Sequence, residues 1–174
     1  MVDNSVTVDS TAMPATIEFS DSFNVAAPFI DRHIDEGRGG KTAICGAFGE
    51  VTYAQLAERV NRAGNALTGL GLSPGARIAM MVKDCPEFFY VFWGAIKAGF
   101  LPVPLNTLLR RGDYQYMIED SACEAVIYSA EFAGEVEPAV KAASPTPAHV
   151  LLTEGDGSIS ALMETASPAL DAVP

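Results

Sequence analysis

From Thr52 onward the chain alternates between two hydrophobic periods, and this alternation restricts its fold more than any other feature. Thr52 and Gln55 have the spacing of a capping box, with Val51 and Leu56 placed as a hydrophobic staple around it. Leu56, Val60, Ala63, Leu67 and Leu70 then recur every three or four residues, which predicts one apolar helix face. Gly71 and Pro74 end that helix. Arg77 to Val82 (RIAMMV) lacks polar alternation and reads as a strand buried on both faces. Pro86 opens a second helix, with Glu87 in its first turn and Lys97 in its last complementing the helix dipole. Phe88 to Ile96 leaves that helix no polar face, so deep burial is expected.

The pattern repeats toward the C-terminus. Gly99 caps the second helix and Phe100 to Leu105 is a strand. Asp113 is placed to cap a helix from Tyr114 to about Asp120, and Ala125 to Tyr128 (AVIY) is a strand. Ala130 to Lys141 is helical in spacing, with Pro138 expected to break or restart it. Val150 to Thr153 is a last strand. Short connections between alternating helices and strands predict an α/β fold, with a mainly parallel sheet flanked by helices and right-handed crossovers.

Residues 23–153 form this α/β unit. Before it, residues 1–22 are rich in Ser, Thr and Asp and read as a flexible arm. Within its first part, Phe29, Ile30, His33 and Ile34 have helical spacing, Lys41 to Cys45 is a short strand, and Gly49-Glu50 reads as a turn. Residues 154–174 are acidic and small-residue-rich, and weak order is expected of them. The net charge of −11 is concentrated at the ends, since every Lys and Arg lies between Arg32 and Lys141. A chain this acidic, with no basic stripe, is not built for nucleic acid or an anionic membrane. Cys45, Cys85 and Cys123 are too far apart for a zinc site or a disulfide framework and read as buried thiols. The N-terminus has no basic flank with an apolar stretch, and the most apolar segment is too short to span a bilayer. A cytoplasmic protein is expected.

The stretch Gly99 to Tyr114 (GFLPVPLNTLLRRGDY) combines strand, loop and cap. Pro102 and Pro104 each remove a ladder donor, and with one residue between them both gaps point the same way. An edge strand is therefore predicted. Arg110 and Arg111 follow in the exit loop. Beyond the C-terminal ends of strands, where doubly wound sheets bind ligands, Lys83-Asp84-Cys85-Pro86 and Ser129-Ala130-Glu131 contain no glycine-rich phosphate cradle. Gly39-Gly40-Lys41-Thr42 resembles the end of a phosphate loop, but Asp35 stands where that motif needs glycine and a helix precedes it instead of a strand. Arg111-Gly112-Asp113 is read as a chance match to an adhesion tripeptide. His33 and His149 stand alone, and Asp31 and Asp35 read as a solvated helix face. No nucleophile–base set, metal set or general-acid pair stands out.

Four blocks in this order resemble the N-terminal region of adenylate-forming acyl-CoA synthetases. They are TYAQL at Thr52–Leu56, GLGLSPGARIAMM, FWGAIKAGFLPVPLN, and YMIEDSACEAVI at Tyr116–Ile127. PVPLNTLLRRGDYQYMIEDS and the opening FNVAAPFIDRHIDEGRGGKTAI are similar to benzoate–CoA ligases and related aryl-CoA ligases. The resemblance implies a parent enzyme that uses ATP with Mg²⁺ to convert a carboxylic acid to an acyl-adenylate. Coenzyme A then displaces AMP. The family's phosphate loop, adenine and ribose contacts and C-terminal lysine would all lie beyond residue 174. This chain therefore reads as an N-terminal fragment, inactive alone. The acid, whether benzoate, a hydroxybenzoate or a medium-chain acid, is left open. So is a non-catalytic α/β binding or assembly module. One family contact falls inside the chain: a basic residue after the strand approaches the nucleotide end of coenzyme A. Leu108 occupies the matching position, and Arg110 or Arg111, slightly later, is the candidate for the 3′-phosphate.

Overall fold

A computed structural model describes residues 6–174. Its centre is a four-stranded, all-parallel sheet. Strands β5 (Arg77–Met81), β6 (Leu101–Pro104), β7 (Ala125–Tyr128) and β8 (His149–Leu152) lie in the order β6-β5-β7-β8. Two antiparallel hairpins precede it: β1 (Val6–Asp9) with β2 (Thr16–Phe19), and β3 (Thr42–Gly46) with β4 (Gly49–Thr52).

The sheet separates two cores. Ile78, Met80, Val82, Ala125 and Ile127 face the helices α2 (Tyr53–Gly69), α3 (Pro86–Lys97) and α6 (Ile159–Thr165). Ala79, Met81, Val126 and Tyr128 face α4 (Arg111–Ser121) and α5 (Ala133–Ala142). Apolar side chains on both faces of β5 and β7 are what a sheet covered on both sides requires.

Helix α2 begins as the sequence predicts. Gln55 N donates to Thr52 Oγ1 at 3.3 Å, and Thr52 N donates to Gln55 Oε1 at 2.9 Å, completing the capping box. Leu56, Val60, Ala63 and Leu67 are buried on its core face. Strand β6 is an edge strand, as its prolines predict. Leu101 N donates to Ala76 O, just before β5, and Leu105 N to Met80 O in it, so Pro102 and Pro104, of opposite parity, turn their missing donors away from the sheet.

Several local expectations are corrected. The turn between β3 and β4 is Ala47-Phe48, and Gly49-Glu50 already belongs to β4. Arg110, not Asp113, caps α4: its carbonyl accepts from Tyr114 N at 3.0 Å, while Asp113 in the first turn accepts from Arg110 N at 3.1 Å. Pro138 lies inside α5 without ending it. Val136, Ala139 and Val140 bury against the sheet, and this outweighs one missing helical hydrogen bond. Helix α3 is buried on one side only, through Tyr90, Val91, Gly94 and Ala95. Phe88, Phe92 and Trp93 are half-buried against the same core, Trp93 stacked by Phe29, and Phe89 is exposed.

Both ends are more structured than the sequence suggests. Residues 1–5 of the expected arm lie outside the described residues, and the rest of it forms the β1–β2 hairpin. After β8 the chain forms α6, whose Ile159 and Met163 are fully buried and whose Ser158 Oγ accepts from Ala161 N. Beyond it, carbonyls of Ala166, Ser167, Pro168 and Ala169 accept hydrogen bonds from Arg62, Asn61 and Asn65 of α2. Polar side chains on the outer side of α2 hold the tail, which therefore departs from the weak order expected of it.

At the end of α3, Asn24 Nδ2 donates to the carbonyls of Ile96 and Val173, and Val173 N donates to Lys97 O. Lys97, read from sequence as a partner of the helix dipole, is only 3% exposed. Its ammonium donates to Asp31 Oδ1 at 2.6 Å and Asn61 Oδ1 at 2.8 Å. Asp31 is thus an ion-pair partner and not part of a solvated face.

Candidate functional site

The exit loop of β6 shapes the strongest candidate. Asn106 opens it by accepting Leu108 N with Oδ1 at 2.9 Å, a local turn that bends the chain off the strand. Buried Tyr114 anchors the loop from below, its hydroxyl donating to Asn106 O at 3.0 Å. Between this loop and the start of α5 is a cavity of about 320 Å³, lined by Thr107, Leu108, Arg110, Phe132, Glu131 and Glu135 among others.

Arg110 stands at its rim with a side chain 80% exposed. Its Nη1 is 3.3 Å from Glu135 Oε1, and the backbone N–H of Arg111 donates to Glu135 Oε2 at 2.8 Å. One carboxylate from α5 therefore bridges a guanidinium and the first free N–H of α4. That pairing of a guanidinium with an orphan helix N–H suits any anion of similar shape. The structure brings Arg110 and the Arg111 backbone together, but leaves the Arg111 side chain on the exposed outer surface. Glu135 was not legible as part of the site, since it lies 24 residues beyond Arg111 on another helix.

A second place merits comparison. Strand β5 leads into α3 on one face and β7 leads toward α5 on the other, so the crevice of a doubly wound sheet falls between their C-terminal ends. There Ser129 Oγ accepts from Lys83 N at 3.1 Å, and Lys83 Nζ pairs with Glu131 at 3.4 Å. No glycine-rich phosphate cradle lies beside the crevice. Among the described residues no group of three or more His, Cys, Asp or Glu could hold a metal ion.

The remaining sequence candidates have structural roles. His33 stacks on Tyr53 at 3.8 Å between ring centres and accepts from Arg38 Nε at 3.1 Å. Desolvation and the adjacent Arg38 charge push its pKa down. His149 sits on β8 with its N–H donating to Glu124 O. Gly39 and Lys41 supply carbonyls that accept Ala54 N and Tyr53 N, so Gly39-Gly40-Lys41-Thr42 joins a loop to β3 and cradles nothing. Cys85 and Cys123 are buried, whereas Cys45 is exposed, contrary to its expected burial. Burial raises the Cys85 thiol to about 11, which keeps it protonated and unreactive at neutral pH. Among the described residues no helix is long and apolar enough to cross a membrane.

Comparison with known proteins adds the family. A model described as "AMP-binding enzyme" matches residues 31–172. The chain is 40% identical to a benzoate–CoA ligase of Thauera aromatica over 169 residues, covering 95% of this chain and 32% of the relative. It is 43% identical over 117 residues to a 4-hydroxybenzoate–CoA/benzoate–CoA ligase of Rhodopseudomonas palustris, covering 67% of this chain and 22% of the relative. The crystal structure of a benzoate CoA ligase from Burkholderia xenovorans superposes with a TM-score of 0.78 at 35% identity, over 86% of this chain and 30% of that one. The chain thus spans about a third or less of the length of these relatives. With the family model matched over most of its length and the same parallel α/β architecture, the chain belongs to the AMP-binding enzymes and carries the N-terminal α/β fold of the adenylate-forming acid–CoA ligases.

Proposed function

We propose that this chain is the N-terminal part of an aryl-CoA ligase. The whole enzyme activates benzoate or a similar acid with ATP to an acyl-adenylate. It then forms the CoA thioester, releasing AMP and pyrophosphate. The observation that carries this reading is the 40% identity to a benzoate–CoA ligase across 95% of the chain. Benzoate and hydroxybenzoate are both candidate acids, since ligases for each are among its relatives. ATP and its Mg²⁺ would be held outside these residues, which supply neither a phosphate cradle nor a metal set. Aromatic-acid breakdown in the cytoplasm is the setting this reading implies. The test is acid-dependent pyrophosphate release by the intact enzyme with ATP and CoA, using benzoate, hydroxybenzoates and medium-chain acids in parallel. Benzoate or a hydroxybenzoate should be the best substrate, and the 174-residue chain alone should release none. Release independent of every acid tried would remove the assignment.

Within this part, the loop of β6 is the proposed contact for the 3′-phosphate of CoA. A phosphate would take the place of the Glu135 carboxylate on Arg110 and the Arg111 N–H, because a dianion gains more from the same donors than a carboxylate does. Arg110→Ala with Arg111→Ala in the intact enzyme should raise KM for CoA about 3–10-fold, matching an exposed charge-assisted contact of roughly 1 kcal/mol. The acid-dependent pyrophosphate release should stay near normal. An unchanged KM for CoA would exclude the contact.

A further inference from the structure

The carboxylate seated on the β6 exit loop is held less firmly than the donors it occupies. Glu135 lies in the first turn of α5, with Oε1 3.3 Å from Arg110 Nη1 and Oε2 accepting from Arg111 N at 2.8 Å. Its side chain is 39% exposed, so a change of rotamer returns the carboxylate to water at small cost. The donors have supports of their own. Arg110 N donates to Asp113 Oδ2 at 3.1 Å and Tyr114 N donates to Arg110 O at 3.0 Å, closing the first turn of α4. Asn106 is fixed by Leu108 N and by the Tyr114 hydroxyl. None of these bonds includes Glu135, so the loop keeps its shape when the carboxylate leaves. Open space lies alongside: Thr107, Leu108 and Phe132 share the cavity with Glu135, and a Cβ built on neighbouring Gly134 would meet no atom within 4 Å. The other acids nearby are already committed, Asp113 to Arg110 N and Glu131 to Lys83. Glu135 is thus the anion that an incoming phosphate meets on the Arg110 guanidinium.

We propose that Glu135 is a displaceable competitor for the CoA phosphate, which keeps the contact at Arg110 and the Arg111 N–H exchangeable. The inference rests on the reading of this loop as a CoA contact. A phosphate monoester carries about −1.5 to −2 charges at pH 7, against one on Glu135, so it wins the shared donors while the carboxylate swings out. Displacement offsets part of the phosphate's gain, and repulsion from the departing carboxylate offsets more. The 3′-phosphate lies far from the reacting thiol and is the same in CoA and in its thioester. Donors free of competition would therefore hold product as tightly as substrate, lowering KM without speeding the chemistry. Return of Glu135 to its donors opposes that and lets the thioester go.

Glu135→Gln in the intact ligase tests this, since the amide keeps the shape and an acceptor for Arg111 N but loses the charge. KM for CoA and the inhibition constant of benzoyl-CoA should both fall about 2–5-fold, the range of one exposed charge interaction. KM for dephospho-CoA should not change, which separates loss of a competitor from loss of a structural tie between α4 and α5. In an Arg110→Ala background the same substitution should lose most of its effect on KM for CoA. An unchanged or raised KM for CoA in Glu135→Gln, with Arg110→Ala plus Arg111→Ala raising it, would overturn the competitor and leave the contact standing. An equal fall for CoA and dephospho-CoA would overturn it as well. An unchanged KM for CoA in the double arginine variant would instead remove the contact on which the inference stands.

Discussion

Gly94→Ala is expected to destabilise this fold by at least about 3 kcal/mol, the upper range for overpacking a filled core. A Cβ at Gly94 would stand 2.7 Å from Gly64 N, 2.8 Å from Val60 O and 2.8 Å from Ala63 Cβ. Two of these three atoms are backbone of α2, so no side chain can rotate away, and relief requires the helices to part. Separation would loosen α2 from α3, the pair that closes one face of the sheet. Domains of this size keep only about 5–15 kcal/mol of net stability, so the loss is a large share. Gly69→Ala is the control. It lies at the end of the same α2, an added Cβ meets nothing within 4 Å, and the change should be neutral or stabilise by about 0.5–1 kcal/mol. Urea melts of both variants decide the matter. Equal midpoints for Gly94→Ala and the parent would mean the helices do not approach this closely.

The second large effect is expected at Lys97. Its ammonium is buried and donates to both Asp31 and Asn61. Lys97→Ala strands the Asp31 carboxylate, which is about one-third exposed, and removes the alkyl stem from the helix junction. A loss of about 2–4 kcal/mol follows, somewhat below the range for a wholly enclosed pair because water can partly reach Asp31. Lys97→Met with Asp31→Leu should recover much of that loss, since an apolar pair of similar volume needs no charge compensation. By contrast, Arg59→Ala should cost no more than about 1 kcal/mol, because its Glu164 partner lies open to solvent. Thermal or urea melts separate these outcomes. A double variant weaker than Lys97→Ala would show that the charge itself is not the source of the effect.

The features legible in the sequence are those with local causes. The Thr52 capping box, the apolar stripe of α2, the β5 run and the outward prolines of β6 each depend on residues within a few positions of one another. What escaped the sequence depends on partners far away in it. Lys97 reads as a dipole complement because Asp31 lies 66 residues earlier. The tail reads as loose because the side chains holding its carbonyls, Asn61, Arg62 and Asn65, belong to a helix more than 100 residues upstream. Pro138 is a local signal overruled by burial around it. The all-apolar run of α3 overstates its burial: Tyr90, Val91, Gly94 and Ala95 are buried, while Phe88, Phe92 and Trp93 are only half-buried and Phe89 is exposed. At the candidate site the arginines were legible, while the carboxylate that engages them was not.

The Asn24 clasp sets an order of assembly. Its amide reaches back across 72 residues to Ile96 O but across 149 to Val173 O. A chain emerging from the ribosome can therefore settle Asn24 on α3 while the tail is still unmade. The last contact forms only after α6 has docked. Removing residues 166–174 should thus cost the hydrogen bonds to α2 and the final closure, while the sheet, α3 and the Asn24–Ile96 link persist. In kinetic terms the clasp is a latch thrown after the sheet and α6 have formed: its loss should speed unfolding of this unit more than it slows folding.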